Sequence, residues 1–176
     1  AVSLANSFAS RGFRTALILG EGGVFQDLVA DNVEIVNLGS PRTTGCIKGL
    51  TRHLKLARPD VLFSMMTHAN IAAIAAHSLA RTRNVLVLSE RISFRFASRR
   101  LGDRLAVRLM PYLYRRADMV AVVSKDMEEE VAELARLPRG KIATLYNPVI
   151  DAAFRKMLAS EDPDIHPWLR FKMAPV

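Results

Sequence analysis

Short apolar runs that end in polar residues recur along the whole chain, and stretches with helical spacing separate most of them. The runs are TALILGEGG (15–23), VLFSMMTHAN (61–70), VLVLSER (85–91), MVAVVSKD (119–126) and IATLYNPVID (142–151). A shorter run, VEIVNL at 33–38, predicts one more strand. Short buried strands that alternate with helices predict an α/β fold, in which helices cover both faces of a parallel sheet.

Polar side chains gather at the ends of these runs. The carboxyl ends of parallel strands meet at one edge of a sheet, and ligands bind beyond that edge. The sequence therefore predicts a ligand-binding rim, which favours a ligand-binding protein over a purely structural one. The expected rim residues are Glu21, Thr67, His68, Asn70, Ser89, Glu90, Arg91, Ser124, Lys125 and Asn147.

Several of these rim residues also have a structural interpretation. His68 follows one buried strand and precedes a helix, where an imidazole can hydrogen-bond or move a proton near neutral pH, or can simply cap the helix. Asn70 is a candidate N-cap. Glu90 and Arg91 either pair with each other or face a ligand. Ser124 is interpreted first as the cap of the following helix.

Composition narrows the class of protein further. Half of the 176 residues are hydrophobic, which suits one domain with a real core. The lone Cys46 makes neither an internal disulfide nor a zinc site by itself. No apolar run approaches the ~18 residues that span a bilayer, and no signal-peptide pattern is found, so we expect a cytosolic location. Asn147-Pro148 predicts a turn. The sequence contains neither a glycine-rich nucleotide-binding loop nor a cluster of residues with metal-ligand spacing. The four histidines are scattered along the chain: His53, His68, His77 and His166.

Positive charge is concentrated in residues 91–116. This segment has eight arginines and one acid, Asp103, a surplus of seven against a net charge of +8 for the chain. Three interpretations stay open: a helix on the sheet with a solvated charged side, a surface for anionic membranes, or a nucleic-acid contact, for which no motif is present. Leucines recur every four residues and predict an apolar face beside the cationic one: Leu101, Leu105, Leu109 and Leu113.

The two ends indicate one domain of a longer protein. Residues 1–14 have helical spacing, so the chain begins within a helix and lacks the strand that would precede it. Residues 155–176 contain three prolines in a polar stretch, which is typical of a linker. We expect a domain at 1–154, a linker at 155–176 towards an absent C-terminal domain, and about 150–200 further residues in the parent protein.

In order and spacing, these segments resemble the N-terminal domain of a family 4 glycosyltransferase of the two-domain GT-B architecture. The resemblance implies a Rossmann-like parallel sheet and covers nearly all of the chain. The similar segments are SLANSFASRGFRTALIL (first helix, second strand), LKLARPDVLFSMMTHAN (helix, Arg-Pro-Asp, strand, His), NVLVLSER, RRADMVAVVSKDMEEEVAEL (Ala-Asp, strand, Ser, helix), KIATLYNPVIDAAF (the Asn-Pro-Val hallmark) and HPWLRFKMAPV (linker).

The resemblance implies a reaction and roles for particular residues. Such enzymes transfer a sugar from a nucleotide-sugar donor to a lipid-linked or saccharide (glycan) acceptor, with retention of configuration and with no metal or other cofactor. It places His68 as the catalytic residue, on the acceptor side near the transferred sugar. Most donor contacts belong to the second domain, so we expect this segment alone to be inactive. The substrate-binding candidates are Asn70, Glu90, Arg91, Ser124 and Asn147.

Other functions remain open at this point. They are a non-catalytic Rossmann-like ligand-binding domain, a sugar epimerase related to the GT-B enzymes, and a membrane-surface adaptor that uses 91–116 alone. A glycine-rich loop upstream and a Glu-x7-Glu pattern downstream would favour the transferase. We expect no nucleic-acid partner and a cytoplasmic protein, with a peripheral position at the inner face of the cell membrane as a further option.

Overall fold

Parallel strands and helices alternate along the described part of the computed structural model, residues 1–23, 25–94 and 101–147, without the side chains of 101–104. A single 3₁₀ turn, Gln26–Leu28, lies between the first two strands. The α/β prediction is confirmed, and each predicted apolar run contains a strand. The strands are β1 Thr15–Leu19, β2 Val33–Asn37, β3 Val61–Met65, β4 Val85–Glu90, β5 Met119–Val122 and β6 Ile142–Thr144. The helices are α1 Val2–Ser10, α2 Thr43–Ala57, α3 Thr67–Ala80, α4 Leu101–Leu113 and α5 Lys125–Ala135.

The strands form two parallel ladders. β1 pairs with β2, and β3, β4, β5 and β6 pair in sequence order. We expected one sheet, but β1 and β3 do not pair with each other. Both ladders still contribute to the main core, because Ile18 of β1 packs against it. Register in the larger ladder aligns Met65 with Ser89 and Glu90 with Val122, so the carboxyl ends of these strands meet at one edge.

Four helices, α2 to α5, lie side by side over the main core. α3, α4 and α5 each connect neighbouring strands in the same direction, and right-handed crossovers place such helices on one face. Packing agrees, since α2 contacts α3, α3 contacts α4 and α4 contacts α5. α1 instead packs on β1 and β2 around a small core of Ala5, Ala9 and Val33. The large residues at the centre of the main core are Leu54, Ile74, Leu86, Leu88, Met110, Tyr114, Val120, Val122 and Val131.

The leucine face of α4, expected to pack inward or to meet lipid, is divided between the core and the surface. Leu105 is 57% exposed and Leu109 is 39% exposed, while Met110 and Tyr114 are buried. Leu113 does pack against the core. Residues spaced by four drift about 40° per step around a helix of 3.6 residues per turn, so such a stripe cannot stay on one face.

The chain divides into two compact units. The first is Ala1–Leu145 and contains every strand and helix given above. The second is Tyr146–Val176, of which only residues 146 and 147 are described. The expected boundary between 154 and 155 lies outside the described residues and stays a prediction.

Candidate functional site

The carboxylate of Glu90, the last residue of β4, is the centre of a buried polar cluster. Its side chain is 1% exposed. One oxygen accepts a hydrogen bond from Thr67 Oγ1 at 2.8 Å. The other accepts from Asn70 Nδ2 at 2.9 Å and from the hydroxyl of Tyr114, which is fully buried. The cluster therefore joins the end of β4, the start of α3 and the segment after α4.

Burial dominates the electrostatics of this cluster. It raises the pKa of Glu90, and the hydrogen bonds from Tyr114, Thr67 and Asn70 reverse only part of that shift. Burial, and then the neighbouring Glu90 charge, raise the pKa of Tyr114. Tyr114 therefore stays protonated near neutral pH, and its hydroxyl donates a hydrogen bond to the Glu90 carboxylate.

The turn between β3 and α3 is held by the same groups. Met66 has a φ of +76°, a conformation that side chains other than glycine rarely adopt and that costs about 1–3 kcal/mol. Its amide donates to Ser89 O at 3.0 Å, and its carbonyl accepts from the Asn70 amide at 2.8 Å. Asn70 Nδ2 also donates to Ser89 O at 3.1 Å. These bonds tie the strained turn to β4 and fix how α3 begins.

His68 lies on the exposed side of that turn, in the first turn of α3. It follows Thr67, and it lies close enough to Glu90 to influence the pKa of that carboxyl. Arg91 follows Glu90 and is half-buried. The Arg91 guanidinium lies near Ala1, the residue before α1. An imidazole and a cation thus stand at the rim above a buried carboxylate.

A second polar group lies at the other end of the rim. Ser124 Oγ accepts from the Met127 amide at 3.3 Å and caps α5, as predicted. Glu128 accepts from Thr144 Oγ1 at 2.7 Å and from Lys125 Nζ at 3.0 Å. The bond from Thr144, followed by that from Lys125, lowers the pKa of Glu128.

The structure brings together the predicted rim residues that end β3 and β4. Thr67, Asn70 and Glu90 share hydrogen bonds, and the backbone of Ser89 joins them. The interpretation of Asn70 as an N-cap is wrong. It is the fourth residue of α3, it is completely buried, and it donates to Glu90 from inside the helix.

Tyr114 is the member of the cluster that sequence reasoning missed. It lies 24 residues from Glu90, in a segment that we interpreted through its arginines and leucines. One signal was available: Met110, Tyr114 and Ala117 are spaced by four and three, the spacing of a core-facing stripe.

Two other predicted residues are exposed. Glu21 follows β1, in the smaller ladder, and Asn147 belongs to the second compact unit. The described side chains contain no group of three or more histidine, cysteine or acidic residues that could hold a metal ion.

Comparison with known proteins identifies the family. A family model described as a glycosyl transferase 4-like domain matches residues 1–148. No curated protein matches the chain significantly. The match extends from α1 through β6 and includes both polar groups of the rim. The chain therefore belongs to the family of glycosyl transferase 4-like domains.

Proposed function

We propose that this chain forms the acceptor-side domain of an enzyme that transfers a sugar from a nucleotide-sugar donor to a lipid-linked or saccharide acceptor, with retention of the anomeric configuration. Membership of the family supports sugar transfer. The observation that carries the assignment to this rim is the exposed His68, held at the carboxyl edge by a turn that is bonded to a buried carboxylate.

Each rim residue has a role in this proposal. His68 contacts the transferred sugar or the attacking hydroxyl of the acceptor, because its imidazole is exposed and can both donate and accept hydrogen bonds. Glu90 and Asn70 are buried, so they act by holding the turn that carries His68. Arg91 offers positive charge to an anionic part of the substrate. Ser124 and Asn147 remain candidates for substrate contact, although the Ser124 hydroxyl already caps α5.

Replacement of His68 tests the proposal most directly. In the full-length protein, His68→Ala should lower turnover by about 10²–10⁴-fold, the usual contribution of a positioned acid–base or hydrogen-bonding group. Release of nucleoside diphosphate from a panel of nucleotide sugars measures turnover, and thermal melting measures folding. His53→Ala on α2 is the matched control, because His53 is a half-buried histidine of a neighbouring helix.

The outcomes separate the alternatives. Unchanged turnover in His68→Ala, with a native-like melting curve, would remove His68 from the reaction. Binding of nucleotide sugars without turnover would favour a non-catalytic ligand-binding domain. Conversion of the donor sugar without transfer to an acceptor would favour an epimerase.

We further propose that residues 91–116 bind an anionic membrane surface, which would place a cytoplasmic enzyme at the inner face of the cell membrane. The exposed apolar side chains of α4 support this, since Leu105, Leu109 and Tyr112 lie at i, i+4 and i+7 and are 57%, 39% and 69% exposed. Arg108 and Arg115 are exposed beside them. No described helix is long and apolar enough to cross a bilayer. Four other arginines of this segment have no described side chains: Arg95, Arg99, Arg100 and Arg104.

Removing charge from this segment should weaken its attraction to acidic lipids. Arg108→Gln with Arg115→Gln is expected to lower the partition onto phosphatidylglycerol vesicles by about thirtyfold, from roughly 1 kcal/mol per basic residue near the surface. Co-sedimentation at low and high salt measures it. Arg11→Gln with Arg14→Gln, which alters two exposed arginines beyond α1, is the control for net charge. Equal binding by both variants would contradict the proposal.

A further inference from the structure

Met66, in the turn between β3 and α3, has a backbone conformation that sets it apart. Four described residues other than glycine have a positive φ. Three of them are arginines that directly follow helices, where a left-handed conformation is common: Arg58, Arg81 and Arg136. Met66 instead precedes a helix, and its φ of +76° with a ψ of 140° lies close to a region that glycine alone normally occupies. A glycine would therefore form this turn with less strain.

The described fold makes little use of the Met66 side chain. It is 44% exposed, and Met66 is not among the described residues that form or pack against either core. The turn is held through the amide and the carbonyl of Met66, which any residue other than proline supplies. A strained residue whose side chain neither packs in the core nor holds the turn indicates a role in function.

The position of Met66 is the carboxyl edge of the sheet, two residues before His68. The register aligns Met65 with Ser89, so Met66 follows beside the end of β4. A second exposed apolar side chain comes from the end of that strand, since Ile92 lies two residues beyond β4 and is 60% exposed. Apolar side chains therefore border the edge at which His68 is exposed.

These side chains favour one kind of acceptor. Covering an exposed apolar side chain is favourable when the covering group is itself apolar, because both surfaces then lose contact with water. Hydroxyl groups cover most of a free saccharide, whereas an alkyl or aromatic group can cover Met66 and Ile92. Methionine suits such a contact, because its flexible and polarizable thioether adapts to partners of different shape.

We propose that Met66 is a specificity-determining residue, which contacts an apolar group of the acceptor beside the hydroxyl that receives the sugar. The inference rests on the proposed sugar transfer and narrows its acceptor to a molecule that carries an apolar group. Met66 has no part in the chemistry, so loss of its contact should raise the KM for the acceptor and leave kcat unchanged. The hydrogen bonds from the turn to β4 keep the strained conformation in place.

Paired acceptors test the contact in the full-length protein. With methyl and n-octyl glycosides of the same sugars, the wild type should favour the octyl form in kcat/KM. Met66→Gln keeps the length and the strain but not the apolar character, and should lower that preference by about three- to tenfold, because an acceptor can cover only the exposed part of the side chain. Met66→Leu should keep the preference. An unchanged preference in Met66→Gln, or no preference in the wild type, would overturn the proposal.

A glycine variant separates the strain from the contact. Met66→Gly should raise the melting temperature by about 2–4 °C, because it removes the strain, and should also lower the preference for octyl acceptors. Arg81→Gly is the matched control, since it relieves a positive φ at the opposite end of α3 and should stabilise the protein without changing that preference. Equal changes of preference in both glycine variants would assign the effect to the backbone and contradict the proposal.

Methyl NMR tests the contact without turnover. The isotope-labelled methyl signal of Met66, identified by its loss in Met66→Leu, should shift with n-octyl glucoside below its critical micelle concentration and not with methyl glucoside. A larger shift with phenyl glucoside would identify an aromatic group, rather than an alkyl chain, as the preferred partner. A shift in a protein that transfers no sugar would support the contact while the proposed function failed. No shift with either apolar glucoside would overturn the contact, even in an active transferase.

Discussion

Two glutamates at the same edge of the sheet have opposite surroundings. Glu90 ends β4, is 1% exposed, and accepts hydrogen bonds from three neutral donors. Glu128 lies in the first turn of α5, is half-buried, and accepts from Thr144 and from the exposed ammonium group of Lys125. The pKa of Glu90 is raised and that of Glu128 is lowered.

The comparison shows that access of water, rather than the number of hydrogen-bond donors, decides whether the pKa of each carboxylate is raised or lowered. Glu90 has more hydrogen-bond donors than Glu128, yet burial still makes its charged form less favourable than it is in water, and the pKa of Glu90 is raised. Such a group fixes the local structure, because its buried donors cannot bond to water instead. Glu128 exchanges its partners with solvent at little cost. The rigid end of the rim is therefore the end that carries His68.

Removal of the buried carboxylate should give the largest effect. Glu90→Ala is expected to lower the free energy of unfolding by about 3–5 kcal/mol. Three donors, two of which are buried, lose their acceptor at roughly 1–3 kcal/mol each, and relaxation recovers part of that loss. Urea unfolding measures the change. Glu128→Ala is the paired control, and an equal or larger loss there would reverse the comparison.

A smaller loss should follow removal of one donor. Tyr114→Phe keeps the ring in the core and deletes the hydroxyl that bonds Glu90, which should cost about 1.5–3 kcal/mol for a hydrogen bond to a charged group. The same urea measurement reports it. Turnover should also fall when it is measured at a low temperature at which the variant is still folded, because the turn that carries His68 loses one of its anchors. A variant as stable and active as the wild type would separate Tyr114 from the cluster.

Tyr114 also shows what the sequence could not predict. Thr67, Asn70 and Glu90 were predicted as neighbours because adjacent parallel strands must end at the same edge. Ser124 was predicted as a cap because a serine before a helix has one dominant local use. Tyr114 meets Glu90 only through the way α4 packs, and that depends on which of two competing apolar stripes faces the core.

The fold was more predictable than the orientation of its parts. Short apolar runs identify buried strands by themselves, so the strand order along the chain followed from the sequence. Which leucines of α4 are exposed did not follow, because two apolar stripes compete for the core: Met110 and Tyr114 are buried, while Leu105 and Leu109 are not. The separation of β1 from β3 depends on long-range pairing, for which local pattern carries no signal.

The smallest expected effect is also the one that compares the two glutamates most directly, since it is a difference in the sign of a pH dependence. Both carboxyls have an ordinary pKa of 4.5. Above that pH the unfolded chain releases the Glu90 proton before the folded state does, so the stability due to Glu90 is lost as pH rises through its raised folded pKa. For Glu128 the folded pKa is lowered, so its contribution is present above pH 4.5 and is lost as pH falls through that lower value.

Unfolding free energies of the wild type, Glu90→Gln and Glu128→Gln across this range should therefore give difference curves of opposite slope. Salt should flatten part of the Glu128 curve, because its ion pair with the exposed Lys125 is open to screening. It should change the Glu90 curve less, because burial and hydrogen bonds outweigh the charge of His68 there. Two slopes of the same sign would mean that burial does not dominate at Glu90 and that the two ends of the rim are alike.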